Sequence, residues 1–228
     1  MAGWGMFGLA FAVFLLSHAI PTRPAVKARL KAVAGPRGYL FLYSAVSLAV
    51  LAWLIVAAAR APFVPLWDPA TWHRWAANLA MPLAIALATL SVGVPNPLSF
   101  GGPAAGFRPD RPGIIGLTRH PLLWALALWA GAHLLANGDL AHVLLFGSFT
   151  GFALLGMAII DRRNRRLMGA AEWARLAQAT AVLPLAALLS GRWRPVRGPS
   201  APRLLLAVAI WAALILAHPW VIGLSPLP

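Results

Sequence analysis

The stretch "GLTRHPLLWALALWAGAHLLANGD", residues 116–139, decides how this chain folds. His120 and His133 interrupt a run that is otherwise almost wholly apolar, with Arg119 ahead of it and Asp139 behind it. A spanning helix needs ~20 mostly apolar residues. Residues 120–137 meet that requirement, and Pro121 suits the first position of a helix. "NGD" at 137–139 reads as a tight turn into a second apolar run at 140–160, with Gly138 free to take φ > 0. The two runs form an antiparallel hairpin.

The rest of the chain agrees with a membrane reading. Of 228 residues, 61% are hydrophobic and 11% charged, too few charges to solvate a soluble domain of this length. Six spans are expected, at 2–20, 37–59, 75–93, 120–137, 140–160 and 203–221. The expected fold class is therefore all-α, a polytopic membrane helical bundle forming one domain over residues 1–228. "AVLPLAALLS" at 181–190 is too short to cross and reads as an interfacial or re-entrant piece, or as the wall of a cavity.

Charge tests the topology. The 19 Lys+Arg against 5 Asp+Glu give +14, a balance that often signals nucleic acid. Here the basic residues fall in short segments between apolar runs, so membrane topology accounts for them and no nucleic-acid partner is expected. Segments 21–37, 94–119 and 161–203 carry 5, 3 and 9 of them, whereas the opposite side carries Arg60 and Arg74 alone. Basic loops stay cytoplasmic, which places both termini outside. Trp4, Trp67, Trp72, Trp75 and Trp220 then fall at the outer interface. The "SHA" that ends the first run resembles a signal-peptidase site. However, "MAGWGM" lacks a basic residue and Arg23, Lys27, Arg29 and Lys31 follow the run, so it is read as a retained helix.

Cysteine is absent, which excludes disulfides, thiolate metal sites and covalently attached c-type haem. H-E-x-x-H, G-x-S-x-G, the P-loop and the Rossmann fingerprint are absent as well. "GGPAAG" at 101–106 lacks a strand–helix frame and reads as a flexible loop within the Pro/Gly-rich segment 94–119.

Ionisable residues within a span are functional candidates by default. His73 and His142 lie at the outer interface, where a histidine is cheap. His18 and His120 share the cytoplasmic level, and His133 and His218 lie nearer the outer side. His120 and His133 are separated by a rise of ~20 Å and ~140° around the helix, so they cannot share a ligand. By depth, His18 could meet His120 as a pair of haem ligands, and His133 could meet His218. Depth disfavours joining His18 to His133. As a plain structural residue, His133 is expected to bond Asn137 one turn away, with Trp129 on the same face. Arg119 and His120 open one arm of the hairpin where Asp161 and Arg162 close the other. These ends are neighbours, and their polar cluster suits either an anionic ligand or a structural ion pair, with Asn137 and Asp139 counted among the polar site candidates as well.

At these residues the sequence resembles the NnrU family of bacterial inner-membrane proteins. The likeness is carried by "TRHPLLWALALWAGAHLLANGDLAHVLLFGSF" (118–149), "GMAIIDRR" (156–163), "SHAIP" in the first span and "LPLAALLSGR" (183–192). It covers nearly the whole chain. The resemblance implies an inner-membrane location and a link to nitrite and nitric oxide reduction in denitrification, with components of those reductases as partners alongside membrane lipids. A plastid relative, the 15-cis-zeta-carotene isomerase, implies haem b as cofactor and an isomerase-like chemistry. Its proposed ligands map onto His18 and His133, with His120 as the other motif histidine, against the depth argument. A more distant likeness runs through "RHP" to membrane methyltransferases that use S-adenosylmethionine. Asp161 and Glu172 lie in the comparable region, but the paired glutamates are missing. Three readings remain open: a haem-b isomerase or redox-linked factor, a non-catalytic assembly factor for reductase complexes, and a methyltransferase-like enzyme.

Overall fold

Alanine- and leucine-rich runs punctuated by proline make most of the chain helical. The computed structural model describes residues 2–227, and among these no β-strand forms. The helices are α1 (Ala2–Ala19), α2 (Pro24–Ala59), α3 (Thr71–Ser91), α4 (Ile114–Leu117), α5 (Pro121–Ala136), α6 (Leu140–Met168), α7 (Ala170–Ala177), α8 (Ala186–Leu189) and α9 (Ala201–Ile222). The chain divides into two compact units. One comprises residues up to Asp68 together with Gly138–Leu145, and the other Pro69–Asn137 with Phe146 onward.

In the first unit α1 packs against α2 around buried Phe7, Ala10, Leu54, Ala57 and Ala58. The helix α2 is broken at Gly35, which takes φ 71° and ψ 165° ahead of Pro36. A left-handed glycine followed by a residue without an amide hydrogen is a natural interruption. The long apolar piece therefore begins where the sequence places its second span. What precedes it differs from expectation, because Lys27, Arg29 and Lys31 ride on helix rather than loop. "AVKARLKAVA" is a strong helix-former, and counting its charges as loop charges hid that.

The turn at Gly138 also departs from expectation. Gly138 does not take a positive φ. Its carbonyl accepts hydrogen bonds from Leu66 N (2.7 Å) and Trp67 N (3.2 Å), while Leu140 N donates to Val64 O (2.9 Å). A Cβ at Gly138 would run into the Trp67 carbonyl. The glycine permits close backbone approach rather than an unusual backbone angle.

In the second unit α3 packs against both α5 and α9. Ala84, Leu87 and Ala125 bury the α3–α5 contact. Leu123 and Ala127 of α5 meet Ala153 and Met157 of α6, as expected of the hairpin. The segment 92–113 is irregular but not loose. Gly93 N donates to Gly101 O and Asn96 N to Pro103 O, both at 2.8 Å, and a Cβ on Gly102 would strike the Val94 carbonyl. The glycines read as a flexible loop instead close a hydrogen-bonded one. Leu98 from this loop packs on Leu176 and Ala177 of α7.

Among the described residues three helices are long and apolar enough to cross a membrane: α2, α6 and α9. The helix α1 from Gly3 and the helix α5 are shorter apolar helices. The basic patch at 161–166 continues α6 for more than a turn beyond its apolar part.

Candidate functional site

The clearest polar centre lies where α5 begins. Pro121 disfavours helical backbone at the residue before it, and His120 accordingly sits at φ −120° and ψ 55° as the N-cap. The preceding segment is held against residues 181–185. Arg119 N donates to Ala181 O (2.8 Å), Thr118 Oγ1 and Trp124 Nε1 both donate to Val182 O (2.7 and 2.8 Å), and Leu185 N donates to Leu117 O (3.0 Å). The short apolar piece thus forms a wall of the centre. Leu185 takes φ 66° to do so, a left-handed conformation that is costly for a leucine.

His120 is fully buried. Its Nε2 lies 2.8 Å from Asp161 Oδ1 and its Nδ1 2.9 Å from Ser99 Oγ. Arg119 Nη1 reaches the second oxygen, Asp161 Oδ2, at 3.3 Å. The ends of α5 and α6 therefore meet as the hairpin requires. An ionised Asp161 can only accept, so Nε2 carries a proton and Nδ1 accepts from the Ser99 hydroxyl. This chain of hydrogen bonds links Ser99 to Asp161 through the ring. Arg119 also stacks its guanidinium over the Trp173 ring at 5.5 Å. Burial pushes this guanidinium below its ordinary pKa, with Arg192 adding in the same direction and Asp161 opposing. Among the described residues Arg119 Nε is a buried nitrogen without an acceptor, a cost of enclosing the charge that Asp161 offsets in part.

Ser99, Asn96, Asn164 and Trp173 belong to the centre and escaped the sequence reading. Asn96 Oδ1 accepts from Leu98 N (3.0 Å) while its Nδ2 donates to Arg119 O (3.1 Å). Asn164 Nδ2 donates to Leu98 O at 3.0 Å. The available signal was "NP" at 96–97, since asparagine favours bonding its own backbone two residues on. Arg162, expected in the cluster, is exposed and forms no ion pair among the described residues. One helical residue on from Asp161, it points ~100° away.

Other expected site residues lie elsewhere. Asp139 caps α6, with Oδ1 accepting from His142 N (3.2 Å) and Oδ2 pairing with His142 Nδ1 (2.7 Å). Asn137 bonds His133 through backbone: its Nδ2 donates to the His133 carbonyl at 2.8 Å, not to the ring. The His133 ring turns the other way, donating from Nδ1 to Trp129 O at 2.8 Å. Trp129, as expected, lines this ring (centroids 5.8 Å), and Phe146 joins it at 5.2 Å. Phe149 stacks behind Trp129.

His18, in the first unit, repeats the arrangement. Its Nδ1 donates to Phe14 O at 2.8 Å, and its ring packs on Phe14 and Tyr43. His218 Nδ1 donates to Leu224 O at 2.7 Å. His73 Nδ1 instead accepts from Ala70 N at the start of α3. A carbonyl can only accept, so in His18, His133 and His218 the proton sits on Nδ1 and the lone pair on Nε2. Among the described residues none of these three Nε2 atoms has a hydrogen-bond partner. Metal-ligating histidines use this tautomer, with the other ring nitrogen donating to a carbonyl or carboxylate. His120, with both nitrogens engaged, does not offer a lone pair. Of the acids considered for a methyltransferase-like site, Asp161 is in the centre and Glu172 is paired with Arg175 (2.7 Å).

These features describe an all-helical chain with helices long and apolar enough to cross a membrane, a buried Arg–His–Asp centre at one end of a helical hairpin and, among the described residues, histidines elsewhere whose Nε2 has no hydrogen-bond partner. The family model described as NnrU protein matches residues 6–226, nearly the whole chain, and the chain belongs to that family. No curated protein and no solved structure matches it.

Proposed function

We propose that the chain is a multi-pass protein of the bacterial inner membrane, linked to nitrite and nitric oxide metabolism, that binds haem b. In this reading α1, the apolar part of α2, α3, α5, α6 and α9 cross the bilayer and both termini face outside. The 17:2 division of basic residues supports this orientation. Family membership supports the metabolic link.

One observation carries the cofactor. His133 and His18 each hold Nδ1–H on the carbonyl one turn back and keep an unpartnered Nε2 among the described residues. The residues fit a histidine-ligated haem, and His133 is the ligand its own unit offers best because aromatic rings already surround it. Haem b, when bound, supplies one-electron redox chemistry or a Lewis-acidic iron. The chain's part is distinct. Trp129, Phe146 and Phe149 exclude water around the His133 ring, the Trp129 carbonyl orients it, and the Arg119–His120–Asp161 centre fixes the start of the helix that carries it.

The test is a reduced-minus-oxidised visible spectrum of the protein purified in mild detergent, with a pyridine haemochrome assay. A b-type spectrum near one haem per chain is expected. His133→Ala should abolish or reshape it, whereas His120→Ala should leave the spectral type unchanged. A colourless protein from haem-replete cells would overturn the reading and leave an assembly factor for reductase complexes in its place.

A further inference from the structure

A cleft of about 1120 Å³ opens within the second unit, apart from the Arg–His–Asp centre. Five arginines line it: Arg108, Arg111, Arg194, Arg197 and Arg203. No acidic residue is among the lining. Beneath them Leu90, Ile114, Leu117 and Trp193 form an apolar wall.

Three of the five arginines already have work. Arg203 Nη1 donates to the carbonyls of Thr89, Leu90 and Val92 at 3.0–3.1 Å, closing the end of α3. Arg108 and Arg111 share Asp110 at 3.0 and 3.7 Å. Arg194 and Arg197 have no ion pair among the described residues. Their segment is nevertheless held. Trp193 N donates to Ala187 O (3.0 Å), its indole lies on Gly116 where any Cβ would collide, and Pro195 and Pro199 restrict the backbone. The two guanidinium groups are thus presented from an anchored strip at the rim of a low-dielectric wall.

Like charges gathered over an apolar wall focus a positive potential, and among the described residues no acidic side chain pairs with these two arginines. Guanidinium groups match phosphate oxygens in geometry and in charge. The cleft joins the end of α3 to the start of α9, one of the helices able to cross a membrane, so an acyl chain has an apolar path beside its headgroup. We propose that the cleft binds a phosphate-headed membrane lipid, with the phosphate on Arg194 and Arg197 and an acyl chain along Leu90, Ile114, Leu117 and Trp193. Basic pockets at the cytoplasmic end of membrane helices hold anionic headgroups by this chemistry.

The test is native mass spectrometry of the full chain in mild detergent, titrated with dioctanoyl phosphatidate, dioctanoyl phosphatidylcholine or inorganic phosphate. One phosphatidate per chain is expected, bound at least about tenfold more tightly than phosphatidylcholine and not displaced by equimolar phosphate. The double substitution R194Q/R197Q should weaken phosphatidate about tenfold or more, whereas R165Q/R166Q, which removes the same charge from the exposed end of α6, should change it less than about threefold. Equal losses in the two doubles would overturn the proposal in favour of diffuse surface charge. Displacement by inorganic phosphate would overturn the lipid as ligand, and equal binding of phosphatidylcholine would overturn the role of the arginines. Both arginines are exposed, and R197Q alone provides a milder variant with the same expected direction.

Discussion

The two ends of α5 carry histidines in opposite chemical situations. His120 is fully buried, with one nitrogen on Asp161 and the other on Ser99. His133 is half-buried, with one nitrogen on the Trp129 carbonyl and the other without a partner among the described residues. A ring engaged on both sides is fixed in place and couples its neighbours. A ring engaged on one side is oriented and still has a lone pair to offer. Membership of the same apolar hairpin does not separate the two cases. Partners on the ring nitrogens do.

The strongest way to break this contrast is to remove the carboxylate. Asp161→Ala leaves the mostly buried Arg119 guanidinium without its counter-charge and His120 Nε2–H without an acceptor. A loss of about 3 kcal/mol is expected in thermal or denaturant unfolding in detergent, seen also as lower yield. An unchanged midpoint would mean the centre contributes nothing to the hairpin's stability. Next comes the histidine pair itself. His120→Ala opens a cavity in a fully buried site and should cost about 2 kcal/mol, while His133→Ala should cost about 1 kcal/mol or less in the absence of any cofactor. Equal losses would erase the distinction between the two ends.

Gly138→Ala tests the far turn of the same hairpin. The added Cβ meets the Trp67 carbonyl, so backbone rather than a flexible side chain must move. A loss of about 1–2 kcal/mol is expected, measured in the same unfolding assay. If the role were a positive φ instead, Gly138→Asn would be mild and Gly138→Ala severe. Collision with backbone makes the larger asparagine at least as damaging.

Much of this architecture was legible because apolar run length and proline position set helices directly. All six expected apolar runs lie in helices, though α2 begins earlier and α6 ends later than expected, and the meeting of Arg119 and His120 with Asp161 followed from hairpin geometry alone. What escaped has a common cause. Ser99 reaches His120 only because the loop 92–113 closes through Gly93–Gly101 and Asn96–Pro103 backbone bonds, and no local pattern encodes such closure. The ring partner of His133 escaped because Asn137 and the Trp129 carbonyl both lie one turn away, and rotamer choice between them depends on packing by Phe146. Helix before Gly35 was missed by treating charge as a mark of loop. Charge marks the side of the membrane, whereas helix propensity marks the backbone.

The smallest expected effect concerns the charged surface near the centre and isolates it from the buried pair. Glu172 and Arg175 form an exposed ion pair on α7, with both guanidinium contacts at 2.7 Å. The hydrogen bond and charge of Arg175 hold the Glu172 carboxyl below its ordinary value, against a smaller opposing effect of burial. A carboxyl with a lowered folded-state value contributes stability that is present above its unfolded value and lost as pH falls through the folded one. Wild type should therefore lose this contribution on acidification below the ordinary glutamate range, and Glu172→Gln should lack it at every pH. Because both side chains face solvent, the difference between the two proteins should be slight near neutral pH and shrink further with added salt. The Asp161 variant should behave otherwise, keeping its deficit in high salt, since Arg119 and Asp161 are largely shielded from counter-ions. A salt-insensitive Glu172 effect, or a salt-sensitive Asp161 effect, would show that enclosure is not what separates the centre from the surface beside it.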